Sequence, residues 1–189
     1  GWCEHITEYD EKKQKISERY YGVEGEPALY RNNYSGIDRQ FDENGRVIAE
    51  RYYDITGEVG ANASGVVILT REYDAEGRQI SQAYLDAEGQ PMVLNNITEL
   101  EQGYDAAGNV NREVVLDGEG NRALHPDGWC EHTTEYDDKK QKISERYYGV
   151  DGEPALYREN YSGIDRRFDE NGRVIAERYY DITGQVGAN

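Results

Sequence analysis

An aromatic residue followed by Asp recurs at Tyr9, Phe41, Tyr73, Tyr104, Tyr136 and Phe168, in steps of 32, 32, 31, 32 and 32 residues. A period of that length holds about one supersecondary unit. Six units in a row specify a quasi-one-dimensional array, in which each unit buries its apolar face only against its neighbours. The clearest unit, Phe41 to Glu58, is FDENGRVIAERYYDITGE. Its segments Asp42-Glu43-Asn44-Gly45 and Asp54-Ile55-Thr56-Gly57 share the form Asp-x-x-Gly. An Asp opening a turn can accept the backbone amide two residues on, and a Gly closing it can take φ > 0 without a Cβ clash. That chemistry predicts a type I turn running into a bulged β-hairpin. The eight residues between the turns, Arg46 to Tyr53, have strand length and strand composition.

The period is nested in a longer one. Gly1 to Asn62 returns as Gly128 to Asn189, an offset of 127, with six differences: Ile6/Thr133, Glu11/Asp138, Glu24/Asp151, Asn32/Glu159, Gln40/Arg167 and Glu58/Gln185. The repeats divide as 1–30, 31–62, 63–94, 95–127, 128–157 and 158–189. Repeats one and five depart from the turn pattern, because Asp10-Glu11-Lys12-Lys13 lacks Gly and Gly22-Val23-Glu24-Gly25 lacks Asp. After the second turn, Pro27-Ala28-Leu29-Tyr30, Pro91-Met92-Val93-Leu94 and Pro154-Ala155-Leu156-Tyr157 read as a third short strand. The expected fold is all-β, an open solenoid-like array of six hairpin or meander repeats, with no helix of substance; Glu99 to Tyr104 reads as strand.

Along the long strand, alternation puts Ile16, Ile48, Ile80, Ile143 and Ile175 on one face with Tyr20, Tyr52, Tyr84, Tyr147 and Tyr179. Tyr21, Tyr53, Leu85, Leu116, Tyr148 and Tyr180 fall on the other. Stacked hairpins should align Ile and Tyr inside and pair opposite charges outside. With 37% hydrophobic residues the chain cannot build one large core, yet it holds 17 Tyr against 2 Phe and 2 Trp. Half-buried rings suit such a thin fold. The competing reading is a sugar platform, formed by Tyr20, Tyr21, Tyr52, Tyr53, Tyr147, Tyr148, Tyr179 and Tyr180 with Trp2 and Trp129. Repetition would there convert weak ring contacts into avidity.

The net charge of −17 disfavours nucleic acid and anionic membranes as partners, and no run approaches the ~20 apolar residues of a membrane-spanning helix. Gly1 opens without a signal-peptide pattern, so a piece of a longer or matured protein is expected. Cys3 and Cys130 occupy equivalent repeats, too far apart for a disulfide. Cys3 with His5, and Cys130 with His132, supply two soft ligands where structural zinc takes four. His125, isolated before Pro126, reads as solvated. The Asp-x-x-Gly turns give only a fragment of a calcium loop. No metal or cofactor is expected, and no nucleophile elbow, phosphate loop or zincin motif marks an enzyme. Open strand edges make edge-to-edge self-association an expectation.

The phrases Phe41-Asp42-Glu43-Asn44-Gly45-Arg46-Val47, Tyr73-Asp74-Ala75-Glu76-Gly77-Arg78 and Tyr104-Asp105-Ala106-Ala107-Gly108-Asn109 resemble the Tyr-Asp repeats of bacterial RHS proteins. The resemblance implies β-hairpin repeats of a large secreted or surface protein, of the kind that spirals into a shell around a toxin. Doubled aromatics before a turn, as in Tyr52-Tyr53-Asp54, are also similar to bacterial cell-wall-binding repeats, which implies hairpin solenoids that hold choline or glucans through aromatic rings. The expected role is a non-catalytic stalk, spacer or scaffold of a larger bacterial protein, extracellular or at the cell surface, with a polysaccharide-binding module as the alternative and a polysaccharide or a protein as the partner. The composition leaves the cytoplasm open.

Overall fold

The computed structural model describes residues 1–187; Ala188 and Asn189, which end the sixth repeat and the second copy, lie outside them. The chain clusters into two compact units, residues 1–94 and 95–189. Unit 1 holds β1 (Glu4–Tyr9), β2 (Lys15–Tyr21), β3 (Gly36–Phe41), β4 (Val47–Tyr53), β5 (Ile68–Tyr73) and β6 (Gln79–Leu85). Unit 2 holds β7 (Glu99–Tyr104), β8 (Val110–Leu116), β9 (Glu131–Tyr136), β10 (Lys142–Tyr148), β11 (Gly163–Phe168) and β12 (Val174–Tyr180). In each unit the strands pair antiparallel in chain order, giving an open, solenoid-like, all-β meander. No helix occurs among the described residues.

The tight turns follow the chemistry that the sequence predicts. At Asp42 the N–H donates to the Arg46 carbonyl and the Gly45 N–H returns to the Asp42 carbonyl, while Asp42 Oδ1 accepts from the amides of Asn44 and Arg46 at 2.9 Å each. Gly45 sits at φ 84°, where an L side chain is strained. The register slips by one residue beside the turn within each hairpin, as between Gln40 and Phe41. The departing repeats form the same turn by other means. Lys13 and Lys140 occupy the glycine position at φ 64° and 61°. In the Gly22 turn, Glu26 Oε2 reaches the Glu24 amide that an Asp would have held.

The expected third strand is not a strand. Pro27 and Pro154 each form a single bridge, to Tyr21 and Tyr148, and the chain then turns back through Tyr30↔Tyr34 and Tyr157↔Tyr161. Proline has no amide to continue a ladder. Arg31 and Asn32 both have positive φ, 49° and 57°, closing the primed type I turn that reverses the link over its own sheet.

Each hairpin pairs over its whole length, whereas each junction between hairpins pairs over three residues. Close approach at the junction needs a glycine. A Cβ on Gly36 or on Gly163 would stand 2.9 Å from the carbonyl oxygen of Glu18 or of Glu145. Opposite each tyrosine of the Tyr20 face the hairpin partner is apolar or aromatic: His5↔Tyr20, Ile37↔Tyr52, Leu69↔Tyr84, His132↔Tyr147 and Ile164↔Tyr179, with Leu100↔Val115 at the same place. Val115, Ile37 and Ile164 are the best buried of these. In unit 2 the core gathers Val115, Trp129 and Tyr147, flanked by Ile97, Leu100, Ala123, Tyr157 and Tyr161.

Candidate functional site

Of the residues singled out as a ligand platform, Trp2, Tyr20 and Tyr52 in unit 1 and Trp129, Tyr147 and Tyr179 in unit 2 belong to two equivalent aromatic stacks. In unit 1, Tyr20 is sandwiched between His5 (centroids 4.4 Å apart, planes 2° apart) and Tyr30 (4.7 Å, 16°), and Trp2 meets its edge at 5.4 Å. Tyr34 then bridges from Tyr20 to Tyr52 at 6.2 and 5.5 Å. Unit 2 repeats this arrangement: His132, Tyr147 and Tyr157 are stacked, and Tyr161 touches Tyr179. Offset and edge-on rings at these separations each add about 0.5–1.5 kcal/mol to the burial itself.

The opposite face treats its tyrosines differently. Arg19 lies 3.7 Å over the ring of Tyr53 and pairs with Asp38 at 2.7 Å, and the Tyr53 hydroxyl donates to the same Asp38 at 2.6 Å. Arg146, Asp165 and Tyr180 form the same triplet, with the guanidinium 4.1 Å over the ring. These cation–π caps occupy the ring faces that a sugar would use. Tyr21 and Tyr148 are half-buried. Beside the triplets lie two broad grooves of about 960 and 850 Å³. The first is lined by Glu8, Ser17, Arg19 and Asp38, the second by the counterparts Glu135, Ser144, Arg146 and Asp165.

Beneath the rings runs a feature that the sequence reading placed outside. Glu18 lies between Ile16 and Tyr20 at the same parity, so alternation turns it inward. It is buried, and it accepts from Arg39 at 2.7 Å, Lys15 at 3.1 Å and the Tyr20 hydroxyl at 3.0 Å, with His5 Nε2 at 3.2 Å. The line continues from Arg39 to Glu50 (3.5 Å) and from Glu50 to Arg71 (2.8 Å), so that His5 on β1 is followed by one charged group on each strand from β2 to β5. In unit 2 the line is Gln102, Glu113, His132, Glu145, Arg166 and Glu177, with Lys142 also on Glu145. The expectation that opposite charges pair outside is corrected: the best buried pairs share the face of the tyrosines.

The environments shift the ionisation of these groups. Burial opposes the charge on Glu18, but hydrogen bonds from Arg39, Lys15 and Tyr20 outweigh it and hold the carboxyl at about 2. The hydrogen bond from His132, against burial and aided by Arg166, holds Glu145 at about 2. Burial alone would lower His132; Glu113 and Glu145 on its two nitrogens reverse that and raise it. Burial, joined by Glu18 for Tyr20 and by Glu145 for Tyr147, pushes both phenols well above the usual range.

His125 is half-buried and stacks on Trp129 at 4.4 Å; its carbonyl closes the Gly128 turn, which brings the ring back onto the indole. Cys3 is exposed, whereas Cys130 is buried, and burial raises its thiol pKa. Tyr30, Tyr34, Tyr157 and Tyr161 complete the stacks, although the sequence alone places Tyr30 and Tyr157 at the end of an expected third strand and Tyr34 in the link after it.

No protein-family model matches the chain, and no curated protein does. Among solved structures, the chain is similar to TcdB2-TccC3-TEV, at 14% identity over 94% of this chain and TM-score 0.34. TcdB2-TccC3 without its hypervariable C-terminal region follows at 15% over 93%, TM-score 0.32. A Photorhabdus luminescens Tc holotoxin pore is matched at 16% over 94%, TM-score 0.25. The chain spans only 10%, 10% and 11% of those three solved chains.

Proposed function

We propose that this chain is a non-catalytic tandem-repeat module, a stalk, spacer or scaffold within a larger bacterial protein that works outside the cell. The observation that carries the reading is the use made of the tyrosines. Tyr20 and Tyr147 are covered by rings on both faces, and Tyr53 and Tyr180 are capped by arginines. Rings committed to one another and to guanidinium groups hold hairpins together and leave little flat surface for a pyranose. The Tyr-Asp phrases that resemble RHS repeats support the larger bacterial setting.

The test is binding of the chain to a panel of soluble and insoluble bacterial and plant polysaccharides, beside thermal denaturation of Tyr147→Ala. No retention on any glycan is expected, with a stability loss of about 3–5 kcal/mol in the variant. Saturable glycan binding by the wild-type chain, abolished in a Tyr53→Leu/Tyr180→Leu variant that still folds, would overturn the scaffold in favour of a carbohydrate-binding module.

A further inference from the structure

The junctions between hairpins share one build and are closed differently near their turns. At β4/β5 two clasps cross the gap. The Tyr73 hydroxyl donates to the Val47 carbonyl at 2.9 Å. The Arg46 guanidinium lies 4.9 Å over the Tyr73 ring, donates to the Asp74 carbonyl at 3.1 Å and pairs with Oδ2 of Asp42 in its own turn at 2.5 Å. At β8/β9 the Tyr136 hydroxyl likewise donates to Val110, at 2.8 Å. At β2/β3 and β10/β11 both clasps are exchanged. Phe41 and Phe168 stand where Tyr73 stands, and Gln14 and Gln141 stand where Arg46 stands. Phenylalanine brings no hydroxyl to the Lys15 or Lys142 carbonyl. Gln14 lies near Gly45 as Arg46 lies near Gly77, so it reaches the neighbouring turn without a charge.

The two grooves lie at these exchanged junctions. They hold about 960 and 850 Å³ and are lined by Gln14 with Phe41 and by Gln141 with Phe168, a size that suits ligand sites. Beside the clasped β4/β5 junction, the cavity lined by Ala49, Arg51 and Ile68 holds about 110 Å³. The first groove has a following hairpin, β5–β6, in place, and the second has a preceding one, β7–β8. Both grooves are open, so neither neighbour fills them. Lys12 and Lys139 tie the two turns at each mouth through the Glu43 and Glu170 carbonyls, at 3.2 and 3.3 Å.

The clasped junction shows what the open ones lack. A guanidinium entering the first groove meets counterparts of all three Arg46 contacts: the Phe41 ring, the Asp10 carboxylate and the Asp42 carbonyl. Asp10 uses Oδ1 for the Gln14 amide, at 2.8 Å, as Asp42 uses Oδ1 for the Arg46 amide. Its Oδ2 corresponds to the atom that Arg46 takes. The surroundings favour a cation, since the first groove is lined by six carboxylates against three cationic side chains. The second has five against four, because Arg167 stands where the first has Gln40. We propose that these grooves bind arginine side chains of a partner polypeptide, each guanidinium taking the place that Arg46 holds at β4/β5. A planar guanidinium can cover the ring and donate to carboxylate and carbonyl together, which an ammonium does less well.

Nuclear magnetic resonance titration of the isotope-labelled full chain at low salt tests it, with the blocked peptide Gly-Arg-Gly and its lysine and citrulline analogues. The arginine peptide should shift the Phe41 and Phe168 rings and the Gly45 and Gly172 amides saturably, severalfold more tightly at the first groove than at the second. The lysine peptide should bind more weakly, and the uncharged citrulline peptide should not bind. Gln14→Arg/Gln141→Arg supplies the guanidinium from within and should weaken peptide binding about tenfold or more. Gln40→Arg repeats a residue that the second copy already carries and should bring the first groove to the affinity of the second. The proposal is overturned if no saturable shift occurs at millimolar peptide, if the shifts lie outside the grooves, or if either analogue binds as well as arginine. Undiminished binding in Gln14→Arg/Gln141→Arg also overturns it; if that variant does not fold, unchanged affinity in Gln40→Arg does so alone. The reading as a non-catalytic module does not depend on this site and is decided by the glycan test.

Discussion

At the scale of single residues, the chain tolerates departures from its own turn pattern by straining one backbone position. Lys13 takes the left-handed conformation that Gly45 takes freely, and it keeps the same pair of turn hydrogen bonds. A non-glycine residue there carries a penalty of about 1–2 kcal/mol, partly offset by the greater freedom that glycine loses on folding. Lys13→Gly is therefore expected to stabilise the chain by about 0.5–1 kcal/mol, and Lys140→Gly by the same amount, measured by urea denaturation. The Asp side chains of the turns are equally legible: Asp42 and Asp105 each accept two backbone amides through one oxygen, the use that Asp-x-x-Gly predicts.

At the scale of strands and hairpins, the buried charge line makes stability depend on pH in a definite direction. Glu18 and Glu145 are depressed from 4.5 to about 2 on folding. Their contribution is complete above about pH 4.5 and is lost as pH falls through 2. A shift of this size corresponds to about 2–3 kcal/mol for a buried group. His132 runs the other way. Its raised pKa adds stability that is complete below 6.5 and is lost as pH rises through the folded value. The pH series should show the melting temperature falling steeply from pH 4.5 to 2, and Glu145→Gln should flatten that fall while lowering the plateau.

This element scale is also where sequence legibility divides. The turns, the two-residue alternation and the Tyr20 and Tyr21 faces were readable, because each rests on a local pattern. The inward position of Glu18 was implicit in the same alternation and was missed by assuming that charge goes outside. The missing third strand and the ring stack of Tyr30 on Tyr20 were not readable by the same means. Both depend on Arg31 and Asn32 adopting a conformation usually signalled by glycine, which folds the link back so that Tyr30 meets Tyr20 of its own repeat.

At the scale of the whole molecule, the duplication is a comparison built into one chain. Trp2 and Trp129 share their flanking residues, Gly-Trp-Cys-Glu-His, and differ in what lies beside them. Trp129 packs with Val115, Tyr147 and His125, whereas Trp2 keeps an open side. Trp129→Ala should cost about 3–5 kcal/mol and Trp2→Ala about 1 kcal/mol or less in equilibrium denaturation of the monomer. Equal losses would mean that neighbouring hairpins contribute little. The difference measures the interface energy of one repeat, the quantity that governs the stability of linear arrays.

The chain-order pairing of the strands has a mechanical consequence. Inside each unit every strand is bonded only to the strands just before and just after it in sequence. Among the described residues of each unit no strand from elsewhere locks a hairpin in place, so tension opens junctions of three pairs before hairpins of six. Each repeat set free lengthens the tether by roughly 100 Å at about 3.3 Å per residue. Under load such a chain yields stepwise and re-forms locally when the load falls, extending like a spring of separate coils.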